Sequence, residues 1–178
     1  MKEVWLIVFD VDGTLTDGTV HFDSKGREHK RFHIGDGLGF RMAEAAGLRL
    51  AIVSGRKSKA VESRMSRLPS EDILQGVGDK ASALRDLMSR HDLTPAQVAY
   101  VGDDLNDLLA FDAVGVRIAV ANAAPELKRR ADYITERRGG HGAGRDAIEA
   151  VLRAQGRYDA AVAQYLIDIA KPEPGPTN

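Results

Sequence analysis

The chain alternates short apolar runs with longer segments in which apolar residues recur at helical spacing. The apolar runs have the length of strands and end at glycine, serine, threonine or aspartate, which predicts buried parallel strands. These strands are predicted at residues 4–8, 48–53, 73–76, 98–102, 116–120 and 131–135. Helices are predicted at about 36–46, 58–67, 79–91, 104–112, 125–130, 146–154 and 158–170. This alternation predicts an α/β fold in three layers, with a doubly wound parallel sheet.

The segment between the first two predicted strands departs from the alternation. Two extended stretches flank the turn Asp23-Ser24-Lys25-Gly26, so residues 19–34 predict a protruding β-hairpin. Asp36 is then predicted to cap the first helix. Residues 139–144 are rich in glycine and predict a flexible loop. We expect one domain over residues 1–170, followed by a proline-rich, disordered tail at 171–178.

Composition narrows the classes of function. The 178 residues carry a formal net charge of −1, which gives no reason to expect nucleic acid or an anionic membrane as a partner. There is no cysteine, which excludes disulfides, thiolate metal sites and a cysteine nucleophile. The absence of cysteine fits a cytoplasmic protein, and no apolar run has the length of a membrane span.

Candidate chemistry begins at the end of the first strand. Asp10 and Asp12 follow the apolar run directly, and a spacing of two places both carboxylates on one side of an extended segment. Two like charges this close require a cation, a shared proton or strong hydrogen bonding. Because the candidate ligands are oxygen atoms alone, the pair favours Mg²⁺.

Other polar groups follow the later strands. The second strand ends at Ser54-Gly55-Arg56, Lys80 opens the third helix, and Asp103-Asp104 follow the fourth strand with Asp107 one turn later. Singly, these residues are typical of turns, helix caps and solvated helix surfaces. In a parallel sheet, however, the carboxyl ends of the strands share one edge, where the groups can converge. A nucleophilic carboxylate, a fixed cation and metal-binding acids are what phosphoryl transfer needs.

The order of these groups resembles that of the haloacid dehalogenase superfamily of phosphatases, whose four motifs match Asp10-Val11-Asp12-Gly13-Thr14, Ser54, Lys80 and Gly102 to Asp107. The resemblance implies a Rossmann-like fold of the haloacid dehalogenase type. It implies that Asp10 is the nucleophile and that Asp12 protonates the leaving group and later activates water.

The same resemblance implies the supporting roles. Asp10, the backbone carbonyl of Asp12 and Asp103 would hold Mg²⁺. Ser54 and Lys80 would hold the phosphoryl oxygens, while Asp104 and Asp107 would act through the metal's waters or by orienting Lys80. The candidate substrate contacts are Thr14, Gly55, Arg56 and Arg145.

The intervals from Asp12 to Ser54 and from Ser54 to Lys80 are too short for the cap domain that many members of the superfamily carry. This capless arrangement resembles the 3-deoxy-D-manno-octulosonate 8-phosphate phosphatase family. Its resembling segments are residues 31–39, 54–57, 74–76, 98–107 and 139–145. The resemblance implies an acidic sugar phosphate of lipopolysaccharide biosynthesis as substrate, and a homotetramer in which a neighbouring subunit completes each site.

Two positions depart from that family. It commonly has arginine where this chain has Gly35 and His141, and arginine is the natural partner of a sugar carboxylate. Two other substrates therefore stay open: a nine-carbon keto-acid sugar 9-phosphate of the sialic-acid type, and another small phosphate ester. A hypothesis of a different class, a non-catalytic binding domain with the same fold, also stays open.

Overall fold

A computed structural model describes residues 1–171 of the chain. Within them lie eight strands: β1 (Leu6–Phe9), β2 (His21–Phe22), β3 (Glu28–His29), β4 (Arg49–Ser54), β5 (Asp72–Gln75), β6 (Val98–Gly102), β7 (Val116–Ala119) and β8 (Tyr133–Ile134). Six of them form a parallel sheet in the order β5-β4-β1-β6-β7-β8. They are the six predicted strands, with bounds shifted by no more than two residues.

The helices are α1 (Ile34–Ala45), α2 (Lys59–Met65), α3 (Lys80–Arg90), α4 (Leu108–Ala113), α5 (Pro125–Lys128), α6 (Ala143–Ala154) and α7 (Tyr158–Ala170), with 3₁₀ turns at Pro95–Gln97 and Leu105–Asp107. Helices α1, α6 and α7 pack together, and α3 packs on α4. The chain runs from β1 outward to β5, then returns through α3 to β6 and continues to β8. Right-handed crossovers in opposite directions place their helices on opposite faces, which gives the predicted three layers.

Strand β1 lies at the point where the strand order reverses. All four of its residues are completely buried, because β4 and β6 pair with it on either side and helices cover both faces. Open parallel sheets bind ligands outside the carboxyl ends of the strands at such a switch point. The fold therefore directs attention to the residues that follow β1, β4 and β6.

The hairpin forms, but its ladder is shorter than residues 19–34. Only β2 and β3, of two residues each, are paired, in antiparallel orientation. The Asp23 carboxylate accepts hydrogen bonds from the backbone N–H groups of Lys25 and Arg27 and closes the turn. After β3 the chain leaves the ladder, because Lys30 and Arg31 turn toward the domain and form ion pairs with Asp12 and Asp17.

Two local predictions need correction. Helix α1 begins at Ile34 rather than after Asp36, since the His33 ring nitrogen Nδ1 accepts a hydrogen bond from the N–H of Gly35 and caps the helix. Asp36 is instead buried in the first turn, where it accepts a hydrogen bond from the N–H of Arg145 and joins α1 to α6.

The glycine-rich segment is packed against the domain rather than projecting as a flexible loop. The N–H of Gly140 donates to the carbonyl oxygen of Thr14, and a Cβ on Gly139 would lie 1.7 Å from the carbonyl oxygen of Gly13. Only glycine permits this approach. Helix α6 follows at once from Ala143, three residues earlier than predicted.

No separate cap domain interrupts the described chain, which holds only the hairpin, α1, β4, α2 and β5 between β1 and α3. Among residues 1–171, the helices are all too short or too polar to cross a membrane. The predicted tail falls, except for Lys171, outside the described residues.

Candidate active site

The turn after β1 presents the first carboxylates. The N–H of Asp10 donates to the carbonyl oxygen of Val101, so the pairing of β1 with β6 continues to the aspartate and fixes it. The chain then reverses at Gly13, which has a φ of +90°. A Cβ at this position would lie 1.9 Å from Oδ2 of Asp103, so glycine is required both by the backbone and by the approach of the second acid.

Three carboxylates converge at the carboxyl ends of β1 and β6. One oxygen from each of Asp10, Asp103 and Asp107 lies within 4.8 Å of the others. Burial, with the negative charge of Asp107, raises the pKa of Asp10 to about 6. Burial, with the charges of Asp10 and Asp107, raises the pKa of Asp103 to about 8. The cluster therefore holds more negative charge than its surroundings neutralise, and a hard divalent cation with oxygen ligands fits it.

Lys80 supplies the buried cation of the cluster. Its Nζ lies 2.6 Å from Oδ1 of Asp107 and 3.1 Å from Oδ2 of Asp10. Burial alone would lower the pKa of Lys80, but the carboxylates of Asp10 and Asp107 outweigh it and raise the pKa. The ammonium group is therefore charged and held between the two acids.

Asp107 organises the loop after β6 and is fully buried. It accepts hydrogen bonds from Lys80, from the hydroxyl of Tyr100 at 2.8 Å and from the N–H groups of Asp103 and Asp104. Its contacts fit the orienting role expected for it. Sequence reasoning missed Tyr100, although a tyrosine within a fully buried strand signals a hydroxyl that needs a partner.

A cavity of about 320 Å³ opens beside these groups. It is lined by Asp10, Asp12, Ser54, Gly55, Arg56, Asp103, Asp104, Leu105 and Asn106. Seven of these nine residues are predicted site residues, brought together from the ends of β1, β4 and β6. Lys80 and Asp107 stand behind the carboxylates rather than in the lining.

Two predicted substrate contacts lie elsewhere. Thr14 is fully buried and its hydroxyl donates to Oδ1 of Asp103 at 3.1 Å, so it positions that acid. Arg145 pairs with Glu149 on α6 and faces a separate groove, which Gly35 also lines. His141 does not line the cavity at Asp10, so neither departure from the family pattern removes a side chain from the lining of this cavity.

Sequence reasoning also missed two hairpin residues. Lys30 forms an ion pair with Asp12, and Glu28 forms one with Arg56 at 2.8 Å. Glu28 and Lys30 are two residues apart and hence on one face of an extended segment. That spacing of opposite charges was the available signal.

The carboxylates of Asp10 and Asp103, with Lys80 from α3, define a haloacid dehalogenase-like hydrolase. The family model of that description matches residues 65–144. The 3-deoxy-D-manno-octulosonate 8-phosphate phosphatase KdsC of Escherichia coli K12 is 42% identical over 165 residues, which cover 93% of this chain and 88% of that protein. The Haemophilus influenzae protein of the same name is 39% identical over 88% of this chain and 87% of its own length.

A solved structure points to the same family. The crystal structure of 3-deoxy-D-manno-octulosonate 8-phosphate phosphatase from Moraxella catarrhalis, in complex with magnesium, phosphate and KDO, superposes with a TM-score of 0.88. It is 40% identical to this chain, and the match covers 92% of this chain and 94% of that one. The chain belongs to the 3-deoxy-D-manno-octulosonate 8-phosphate phosphatase family, which confirms the resemblance read from its motifs.

Proposed function

We propose that this protein is a Mg²⁺-dependent phosphatase that hydrolyses 3-deoxy-D-manno-octulosonate 8-phosphate through an aspartyl-phosphate intermediate. The observation that carries the proposal is the position of Asp10, which is buried, lines the cavity and lies close to both Lys80 and Asp103. The relatives are 3-deoxy-D-manno-octulosonate 8-phosphate phosphatases, which supports both the reaction and the substrate.

The residues present fit Mg²⁺. The carboxylates of Asp10 and Asp103 and the backbone carbonyl of Asp12 would hold the ion, with Asp104 acting on its waters. The raised pKa values of Asp10 and Asp103 are those of an acidic cluster that lacks enough positive charge. When bound, the ion neutralises charge on the attacking carboxylate and on the phosphoryl oxygens.

In the first step an oxygen of Asp10 forms a bond to phosphorus while the bond from phosphorus to the sugar oxygen breaks. The departing electron pair stays on the sugar oxygen, which takes the proton of the Asp12 carboxyl group and leaves as an alcohol. Ser54 and Gly55 line the cavity, where the Ser54 hydroxyl and the backbone N–H of Gly55 would hold phosphoryl oxygens. Lys80 holds Asp10 and adds positive charge beside the transferred group.

In the second step Asp12, now a carboxylate, accepts a proton from a water molecule whose oxygen attacks phosphorus. The bond from phosphorus to Asp10 breaks, and inorganic phosphate leaves with both carboxyl groups restored to their starting states. Arg56, whose side chain is half-exposed and lines the cavity, would contact the acidic sugar.

Assembly and location belong to the proposal as well. We expect a cytoplasmic homotetramer in which a neighbouring subunit covers the open cavity, with a small sugar phosphate as ligand and no nucleic acid or membrane as partner. The hairpin supports this assembly because its two short strands leave unpaired edges and its Phe22 side chain is exposed. The Arg145 groove could then meet a neighbour's substrate.

The test is the initial rate of phosphate release, with Mg²⁺ and with a chelator. The panel comprises 3-deoxy-D-manno-octulosonate 8-phosphate, a nine-carbon keto-acid sugar 9-phosphate and simple hexose phosphates. We expect Mg²⁺-dependent turnover with preference for the eight-carbon acid, and a loss of at least about a thousandfold in kcat for Asp10→Asn, which removes the nucleophile.

Preference for the nine-carbon acid would keep the mechanism and change the substrate, a result that the departures at Gly35 and His141 make worth measuring. Full activity of Asp10→Asn would overturn the mechanism. Mg²⁺ binding without turnover of any ester would favour a non-catalytic binding domain.

A further inference from the structure

The hairpin reaches into the candidate active site of its own chain. After β3, Lys30 turns inward and its ammonium group forms an ion pair with Oδ1 of Asp12. The side chain of Lys30 has no exposed surface, although the residue follows a hairpin whose tip is exposed. A lysine is rarely buried completely unless its charge is paired. Asp12 is therefore a specific partner of Lys30.

A second carboxylate, that of Glu28, also lies within ion-pair distance of Lys30. Oε1 of Glu28 lies 3.5 Å from the Lys30 ammonium, while Oε2 of Glu28 accepts a hydrogen bond from Arg56 at 2.8 Å. Arg56 in turn lies 3.8 Å from Oδ2 of Asp12. Lys30, Asp12, Arg56 and Glu28 thus form a closed ring of alternating charges.

This ring leaves the Asp12 side chain little freedom. Lys30 engages one carboxylate oxygen and Arg56 lies near the other, and the two cations come from different parts of the chain. Asp12 has no charged partner in the ring besides these two. Lys30 is the buried member of the pair, whereas the Arg56 side chain is half-exposed.

We propose that Lys30 is a positioning residue for Asp12, holding its carboxyl group in line with the oxygen of the leaving group. The inference rests on the acid–base role proposed above for Asp12. Lys30 itself does not touch the reacting atoms. Misplacing an acid by about 1 Å can cost about a hundredfold in rate. Loss of the lysine should therefore slow the step in which Asp12 protonates the leaving group.

The leaving group distinguishes positioning from a general structural role. A sugar alkoxide is a poor leaving group and must be protonated as its bond to phosphorus breaks. The 4-nitrophenolate ion leaves as a stable anion and needs no proton. A misplaced Asp12 therefore slows phosphoryl transfer from the sugar phosphate far more than from 4-nitrophenyl phosphate.

The experiment measures the rate of aspartyl-phosphate formation in a single turnover, with Mg²⁺ and with each of the two substrates. The variants are Lys30→Met, Asp12→Asn, the double variant and Lys25→Met, which makes the same change at an exposed position on the same hairpin. We expect Lys30→Met to slow transfer from the sugar phosphate by about 10- to 100-fold and transfer from 4-nitrophenyl phosphate by less than about threefold.

The double variant tests whether Lys30 acts through Asp12. If it does, Lys30→Met has no further effect on transfer from the sugar phosphate when Asp12 is already asparagine. Lys25→Met is expected to match the wild type with both substrates.

Equal slowing with both substrates, or a full additional loss in the double variant, would overturn the inference. If Asp12→Asn itself shows no dependence on the leaving group, the proposed function fails at its acid step, and Lys30 is not the cause. Should Lys30→Met fail to fold, Glu28→Gln removes one of the lysine's two partners without emptying the site. The same dependence on the leaving group is then expected, with a smaller loss, and its absence would count against the inference.

Discussion

Charged residues cluster at both ends of the parallel sheet, and the two clusters are balanced differently. At the carboxyl ends, Asp10, Asp103 and Asp107 cluster, and the buried cation Lys80 contacts Asp10 and Asp107. At the amino ends, Asp72 opens β5 and pairs with Arg90 at 2.6 Å and with His91 at 2.7 Å. The first cluster has excess negative charge, whereas in the second the carboxylate of Asp72 is matched by cationic or proton-donating partners.

The difference appears in the pKa values. Burial and like charges raise the pKa of both Asp10 and Asp103. Burial would also raise the pKa of Asp72, but hydrogen bonds from His91 and Arg90 lower it below its usual value. A protein that needed only stability would satisfy both clusters in the second way. The unbalanced cluster marks the end of the sheet that is built to receive a cation and an anionic substrate.

The largest effect is expected from removing Lys80, the cation of the cluster at the carboxyl ends. Lys80→Met leaves Asp10 and Asp107 without their partner, which costs about 3–5 kcal/mol in the free energy of unfolding when a buried pair loses one member. Phosphatase activity is expected to disappear with it. Urea unfolding and initial rates measure the two effects. Lys59→Met, at an exposed position on α2, is the matched control and should change neither. A cost below about 1 kcal/mol for Lys80→Met would show that the lysine does not balance the cluster.

The pH dependence of Mg²⁺ binding tests whether the cluster at the carboxyl ends has excess negative charge. The pKa values of about 8 for Asp103 and about 6 for Asp10 lie above the unfolded value of 3.8, so the metal-free folded state holds protons that the unfolded chain releases. Metal-free stability therefore falls as pH rises from about 4 to about 8. Since Mg²⁺ needs deprotonated carboxylates, its affinity rises over the upper part of that range, by up to about tenfold per pH unit for each proton released.

Thermal unfolding at pH 5.5, 7 and 8.5, with and without Mg²⁺, measures both trends. The melting temperature without metal should fall with rising pH, and the increase caused by Mg²⁺ should grow. In Asp103→Asn the dependence between pH 7 and 8.5 should flatten. A stabilisation by Mg²⁺ that is the same at all three pH values would contradict the raised pKa values.

The smallest effect is expected at the amino ends of the strands. Asp72→Asn weakens partly exposed ion pairs and should cost about 1 kcal/mol in the free energy of unfolding. Since the pKa of Asp72 is lowered, its stabilisation is present above its unfolded pKa and is lost as pH falls through the folded value. Activity and Mg²⁺ affinity should stay at the wild-type level. A change in either would mean that the two ends of the sheet are coupled.

Much of the fold could be predicted because its signals are local. Buried strands in an alternating α/β pattern are continuous apolar runs, and all six were found within two residues of their bounds. The hairpin was found from its turn, but its ladder was overestimated because ion pairs of Lys30 and Arg31 with the domain end it early. The start of α1 was misjudged because two polar residues, His33 and Asp36, could both serve as its cap.

The candidate site could be predicted only in part from such local signals. Asp10, Ser54 and Asp103 sit at the ends of three strands, and their meeting follows from the parallel sheet. Arg145 was predicted to contact the substrate. Its side chain instead pairs with Glu149 on α6 and lines another groove. Thr14 closes the first motif, but its hydroxyl contacts Asp103 and it does not line the cavity. Side-chain direction depends on packing partners that no local pattern contains.

The sequence by itself determined the strands, their parallel arrangement and the set of groups at their carboxyl ends, because short-range periodicity and motif spacing carry that information. Only the tertiary structure decided how the groups are paired. It placed the hairpin's Lys30 on Asp12, packed the glycine-rich segment against the turn at Gly13, and buried Lys80 between two acids. Each of these contacts joins residues that are distant in the chain. Electrostatic pairing and close packing depend on how near two groups are in space, which local sequence patterns do not record.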